Sequence, residues 1–149
     1  MKTRILPLLI IAASGIALFT TSCKKEDTAK SNASIVGKWM VLNQTFTLFD
    51  SMGNVEDGDT NAYFPGELVI DFRENGMVIN TENDGSDLSY DTSYYSLTGM
   101  TLKVSDLPDM SDPTILTVQN LTTTDLNLSV EFDEDDGYKV KNSISAKRQ

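Results

Sequence analysis

The amino-acid sequence predicts an all-β domain built from eight antiparallel strands. Apolar and polar residues alternate with the period of two that is typical of half-buried strands, and short turns separate these runs. No segment keeps the 3.6-residue apolar period of a helix for long. Eight sequential strands with one apolar face each close most economically into an up-and-down barrel, although a two-sheet sandwich has the same pattern.

The clearest strands are the two at the C-terminal end. Apolar and polar side chains alternate over residues 126–132 and again over residues 138–144. The acidic segment 133–137 ends in glycine and connects the two runs as a hairpin turn. We therefore predict an antiparallel pair here.

The other strands follow from weaker alternation and from turn residues. Asn75-Gly76 and Thr98-Gly99 are hairpin signals, because Asn and Gly tolerate a positive φ. The longest connections are residues 51–65 and 105–113, and long loops on a rigid scaffold often carry binding sites. The remaining predicted strands are 36–49, 67–72, 77–81, 89–97, 100–104 and 114–121.

The composition excludes several classes of function. The 149 residues contain 12 basic and 22 acidic side chains, one Cys and no His. Without His there is no imidazole base or ligand, and a single Cys forbids an intramolecular disulfide. A net charge of -10 argues against a nucleic-acid partner, which needs a basic surface. The acidic stretches match no calcium-loop spacing, and the sequence contains no P-loop, Gly-x-Gly-x-x-Gly or nucleophile elbow. We therefore expect a binding protein without metal or cofactor rather than an enzyme.

The N-terminal residues have the layout of a secretory signal. Two basic residues precede an apolar run of about 15 residues, shorter than the ~20 that a membrane-spanning helix needs. Residues 1–22 are therefore predicted to be a signal peptide, and residues 23–34 a polar tether. Residues 35–149 have the size of one domain, with 7 basic and 20 acidic residues and thus a net charge of -13.

The only cysteine stands where the signal ends. Ser22-Cys23 resembles the lipobox of bacterial lipoprotein precursors, which implies that Cys23 carries acyl chains such as palmitate. Lys25-Glu26-Asp27 resembles the tag that directs lipoproteins to the outer face of the outer membrane, although it is also an ordinary solvated linker. The resemblance implies a lipid anchor in the cell envelope, at the outer membrane of a Gram-negative bacterium, facing either the periplasm or the outside.

A second resemblance concerns the domain itself. Gly37-Lys38-Trp39 opens the first predicted strand, and this Gly-x-Trp pattern, with the order and spacing of the later strands, resembles small bacterial lipocalin-like domains. The resemblance favours the barrel over the sandwich. It also implies that Trp39 plugs one end and that a late basic residue, Lys147 or Arg148, stacks on it.

The same resemblance implies a small hydrophobic ligand inside the barrel. The candidate ligand-binding residues are Trp39, Val41, Leu68, Ile70, Phe72, Tyr95, Leu102, Val118, Leu128, Val130 and Val140. The alternative is a filled barrel that acts on the cell surface as an accessory module and binds a protein partner through residues 51–65 and 105–113.

Overall fold

A computed structural model describes residues 33–134 and 137–149, and the chain there forms nine β-strands. Over the residues that the structure describes, no helix is long and apolar enough to cross a membrane. The predicted signal peptide, Cys23 and most of the predicted tether lie outside the described residues. The strands are β1 Gly37–Phe49, β2 Val55–Ala62, β3 Leu68–Phe72, β4 Met77–Asn83, β5 Leu88–Thr98, β6 Thr101–Ser105, β7 Thr114–Leu121, β8 Asp125–Asp133 and β9 Lys139–Arg148.

Eight of these strands close into an antiparallel barrel. From β3 to β9 each strand pairs with the next along the chain, and β1 pairs with both β3 and β9. This continuous pairing confirms the predicted eight-stranded up-and-down barrel and excludes two separate sheets. Closure leaves no unpaired barrel edge.

The ninth strand, β2, was not predicted. Val55–Ala62 falls inside the segment 51–65, which the sequence analysis treats as a loop, and that part of the prediction is wrong. All eight residues of β2 are exposed, so no apolar alternation marks the strand. Backbone pairing with the second half of β1 forms it, and Thr45 and Thr60 join their hydroxyls across the pair at 3.1 Å. The other predicted connection, residues 105–113, contains no strand of its own, since β6 ends at Ser105 and β7 begins at Thr114.

The predicted hairpins form where the turn residues indicate. Gly76 has a φ of 80° and Gly99 a φ of 60°, conformations that cost little only for glycine. The Arg73 amide donates to the Met77 carbonyl at 2.8 Å, which closes the first of these turns.

One end of the barrel is closed by Trp39, which is fully buried in the apolar core. Its indole N–H donates to the Ile35 carbonyl at 2.7 Å. The Arg148 guanidinium lies 4.2 Å from the centre of the Trp39 ring, so Arg148 rather than Lys147 is the stacking cation. A Cβ at Gly37, where φ is 132°, would clash with a guanidinium nitrogen of Arg148. Gly37 lies two residues before Trp39. Because it has no side chain, the Arg148 guanidinium can occupy the space beside it and stack on Trp39.

Candidate functional site

The open end of the barrel is shaped by a β-bulge in β1. Val41 pairs with Ala146, but Asn43 pairs with Ser145, so Leu42 is an extra residue. Before the bulge the odd-numbered residues of β1 face the core, and after it the even-numbered residues share that face. Phe46 is thereby turned toward the inside of the barrel mouth.

Cross-strand pairing shows which side chains share this inner face. Antiparallel partners lie directly opposite each other on one side of the sheet. Three successive rows therefore continue the inner face outward from the core row of Val41, Ala146 and Leu126. They are Gln44 with Ile144 and Leu128, Phe46 with Asn142 and Val130, and Leu48 with Val140 and Phe132.

The two outer rows contribute Phe46, Leu48 and Val140 to the lining of a wide concave opening of about 880 Å³, which we call the mouth. Its volume is within the range of about 300–1,000 Å³ that is usual for small-molecule sites. Residues of β2, together with Glu134 and Tyr138, form its rim. The lining residues are Phe46, Leu48, Glu56, Asp57, Glu134, Tyr138 and Val140.

The mouth leaves large apolar side chains in contact with solvent. Phe46 is 46% exposed, and Phe132, on the row of Leu48 and Val140, is 47% exposed. At the other end of the barrel Trp39 is 0% exposed. When a hydrophobic ligand covers concave, hydrated apolar surface, water is released and binding is favourable.

A layer of polar side chains separates the core from the mouth. The Tyr63 hydroxyl donates to the Gln44 Oε1 at 2.9 Å. Asn142 lies one row further out, and its Oδ1 is the one buried side-chain oxygen or nitrogen without a hydrogen-bond partner among residues 33–134 and 137–149. An acceptor left in this state costs about 1–3 kcal/mol. A donor on a bound molecule would lower that cost.

Most of the predicted ligand-binding residues lie below this polar layer. Val130 is half-buried on the row of Phe46, and Val140 is the one that lines the mouth. Whether any of them contacts a ligand stays a prediction. Trp39, Val41, Ile70, Phe72, Leu102, Val118 and Leu128 are packed together in the core, with Leu68 and Tyr95 against it.

Tyr95 has a structural explanation. Its ring meets Phe72 edge-on, with 5.0 Å between the ring centres, and its hydroxyl donates to the Arg73 carbonyl at 2.9 Å. Burial, and secondarily the negative charge of Glu74, raise the pKa of this hydroxyl, which stays protonated at neutral pH. These contacts attach the β3–β4 hairpin to the core.

Sequence reasoning did not find the apolar residues of β1 that line the mouth. Phe46 and Leu48 alternate, which is a usable signal, but the bulge that decides their face is not visible in the sequence. Nothing in the sequence indicates that the acidic residues Glu56, Asp57 and Glu134 lie together at a rim. In the part of the chain that the structure describes, no three acidic or cysteine side chains lie close enough to hold a metal ion.

Comparison with known proteins finds similarity at the level of structure. No family model matches the chain, and no curated protein is significantly similar to it. Among solved structures, the chain is similar to a lipocalin-like protein from Bacteroides uniformis, with 17% identity and a TM-score of 0.44, over 76% of this chain and 96% of that one. It is also similar to apocrustacyanin C1, with 14% identity and a TM-score of 0.45, over 76% of this chain and 60% of that one.

Proposed function

We propose that this protein binds a small hydrophobic molecule in the mouth of its barrel. The observation that carries the proposal is the half-exposed Phe46, which lines an opening of about 880 Å³ together with Leu48 and Val140. Phe132, also half-exposed, is the cross-strand partner of Val140 and does not itself line the opening. Covering the Phe46 ring contributes about 25 cal/mol for each Å² of apolar surface removed from water. The ligand is expected to lie above the polar layer, with the core beneath it unchanged.

Native mass spectrometry on the full chain isolated from its host tests this proposal. We expect a small molecule that leaves when the chain unfolds and that the double variant Phe46→Ser/Phe132→Ser no longer retains. Ile115→Ser is the matched control, because Ile115 is 56% exposed on β7 and does not line the mouth. A molecule retained by all three forms would contradict the proposal. So would an empty wild-type chain that takes up no added octanol.

We further propose that the barrel is anchored in the cell envelope by acyl chains on Cys23, with residues 23–34 as the tether. The lipobox-like Ser22-Cys23 and the lack of any other cysteine support this proposal. Metabolic labelling with an alkyne-modified palmitate should mark the wild-type chain. The Cys23→Ser chain should stay unlabelled and leave the membrane fraction. Labelling that persists in the Cys23→Ser chain would contradict acylation at Cys23.

Protein binding through loops is the second candidate function. Exposed apolar side chains favour it: Met52 and Phe64 within residues 51–65, and Leu107 in the connection from β6 to β7. A partner that is captured by the wild-type chain and lost with Phe64→Ser/Leu107→Ser, while the mouth variants keep it, would support this function.

A further inference from the structure

Resting on the proposed function, we infer that the mouth selects a hydrophobic cation, such as an alkylammonium or an aromatic amine, over a hydrophobic anion such as a fatty acid. The inference concerns the charge of the ligand and rests on how the strands distribute acidic and basic side chains between the two faces of the sheet.

The mouth combines an apolar floor with an acidic rim. Four of its seven lining residues are Phe46, Leu48, Val140 and Tyr138, and the other three are Glu56, Asp57 and Glu134. No lysine or arginine is among these lining residues. An apolar tail is thus accommodated beside negative charge only.

Strand alternation keeps the neighbouring cations on the other face. Lys139 and Lys141 are odd-numbered residues of β9, whereas the residues that face the mouth are even-numbered. Each lysine is held by a carboxylate of β8: Lys139 Nζ lies 3.3 Å from Asp133 Oδ1, and Lys141 Nζ lies 3.5 Å from Glu131 Oε1. The charges of Lys139 and Lys141 are therefore paired with carboxylates on the outside of the barrel.

The rim carboxylates have no such partners. Within the described ranges, neither Glu56, Asp57 nor Glu134 is paired with a lysine or arginine. The Gly58 amide donates to Asp57 Oδ1 at 2.8 Å, and no donor among residues 33–134 and 137–149 reaches Oδ2. The rim accordingly offers unpaired negative charge to a ligand.

Below the rim, the Asn142 side-chain oxygen also favours a ligand that donates hydrogen bonds. Asn142 lies on the row of Phe46, and its buried Oδ1 accepts no hydrogen bond from the residues that the structure describes. An ammonium group has three donors and no acceptor, whereas a carboxylate has only acceptors at neutral pH. Asn142 is the cross-strand partner of Phe46 but does not itself line the mouth. A ligand donor that reached this oxygen would satisfy it, so its hydrogen-bonding preference agrees with that of the rim charge.

A matched series of ligands separates charge from hydrophobicity. Octylammonium, octanol and octanoate share one tail and differ in charge. Their affinities are measured by calorimetry at pH 7 on the full chain in zwitterionic nanodiscs, with empty nanodiscs as the blank. Because exposed charge pairs each change affinity by a factor of about 2–5, we expect octylammonium to bind about 30-fold more tightly than octanoate, with octanol between them. The preference should shrink in 0.5 M salt.

Two triple variants with equal charge loss complete the test. Glu56→Gln/Asp57→Asn/Glu134→Gln should bring the affinities for octylammonium and octanoate within about threefold of each other. Glu82→Gln/Asp109→Asn/Asp112→Asn removes the same charge outside the mouth and should keep the wild-type preference. Octanoate binding as tightly as octylammonium, or a preference that survives neutralisation of the rim, overturns the inference and leaves the proposed function standing. If none of the three ligands binds, octanol included, both fail.

Discussion

Replacing Arg148 by alanine removes the cation that covers Trp39 at the closed end of the barrel. Besides stacking on the indole, the guanidinium donates to the carbonyls of Val36 at 2.8 Å and Thr123 at 3.0 Å, and also to that of Ser34. These carbonyls belong to the segment before β1 and to the β7–β8 turn. Arg148 thus joins three parts of the chain that are far apart in sequence.

The size of the expected effect follows from these contacts. Three hydrogen bonds from a charged donor that is partly exposed contribute about 2 kcal/mol together, and the cation–π contact about 1 kcal/mol. The free energy of unfolding should therefore fall by about 3 kcal/mol. With a urea m-value of about 2 kcal/mol/M, the unfolding midpoint should fall by about 1.5 M. Arg148→Lys keeps the charge but loses the planar fork, so its loss should be intermediate.

Fluorescence of Trp39, the only tryptophan of the chain, is the assay. Urea titration gives the midpoint, and a red shift of the native emission reports the uncovered indole. Lys147→Ala is the matched control, because Lys147 is adjacent, exposed and not stacked on Trp39. If Arg148→Ala unfolds at the same urea concentration as Lys147→Ala, with unchanged native emission, Arg148 does not stabilise the closed end and the reasoning is refuted.

Three further predictions concern the closed end, the mouth and the β7–β8 turn. Gly37→Ala should lower the free energy of unfolding by about 2–4 kcal/mol in the same titration, because alanine is strained at this positive φ and its Cβ displaces the stacked guanidinium. An unchanged midpoint would contradict the idea that Gly37 is needed to make room for Arg148. Phe46→Ser should change the free energy of unfolding by no more than about 0.5 kcal/mol, since the ring is half exposed, and should weaken octanol binding about tenfold by calorimetry; undiminished binding would remove Phe46 from the site. The hydroxyl of Thr124 is the main cause that lowers the pKa of Asp125, so this carboxylate stabilises the fold above its unfolded value of 3.8 and loses the effect as pH falls through the lower folded value. Asp125→Asn should therefore be less stable than wild type at pH 7 and approach it in acid below pH 3.8; a difference that is constant with pH would refute the role of this charge.

Local sequence was enough for the strands and turns that are specified by near neighbours. The alternation over residues 126–132 predicts β8, and Asn75-Gly76 predicts the turn between β3 and β4, because each depends on side chains only a few positions apart. Closure of the barrel was favoured over a sandwich by resemblance, since periodicity describes which face of a strand is apolar and not which strand it pairs with.

The candidate site depends on long-range pairing and was therefore only partly predictable. The apolar residues chosen from alternation are mostly core, because a closed barrel of this size fills one end with its own side chains. Val140 reaches the mouth because β9 extends beyond that core. The acidic residues of β2 lie at the rim only because β2 pairs with β1, and no apolar pattern in the sequence predicts this strand.

By itself, the sequence determined the all-β class, most strand positions, the Gly37-x-Trp39 motif and the acidic charge, since composition and short-range periodicity are properties of neighbouring residues. Only the tertiary structure decided that Arg148 covers Trp39 and that the bulge at Leu42 turns Phe46 toward the mouth. The physical reason is register: one extra residue in a strand exchanges its two faces, and its position is set by pairing with β9, about a hundred residues later in the chain.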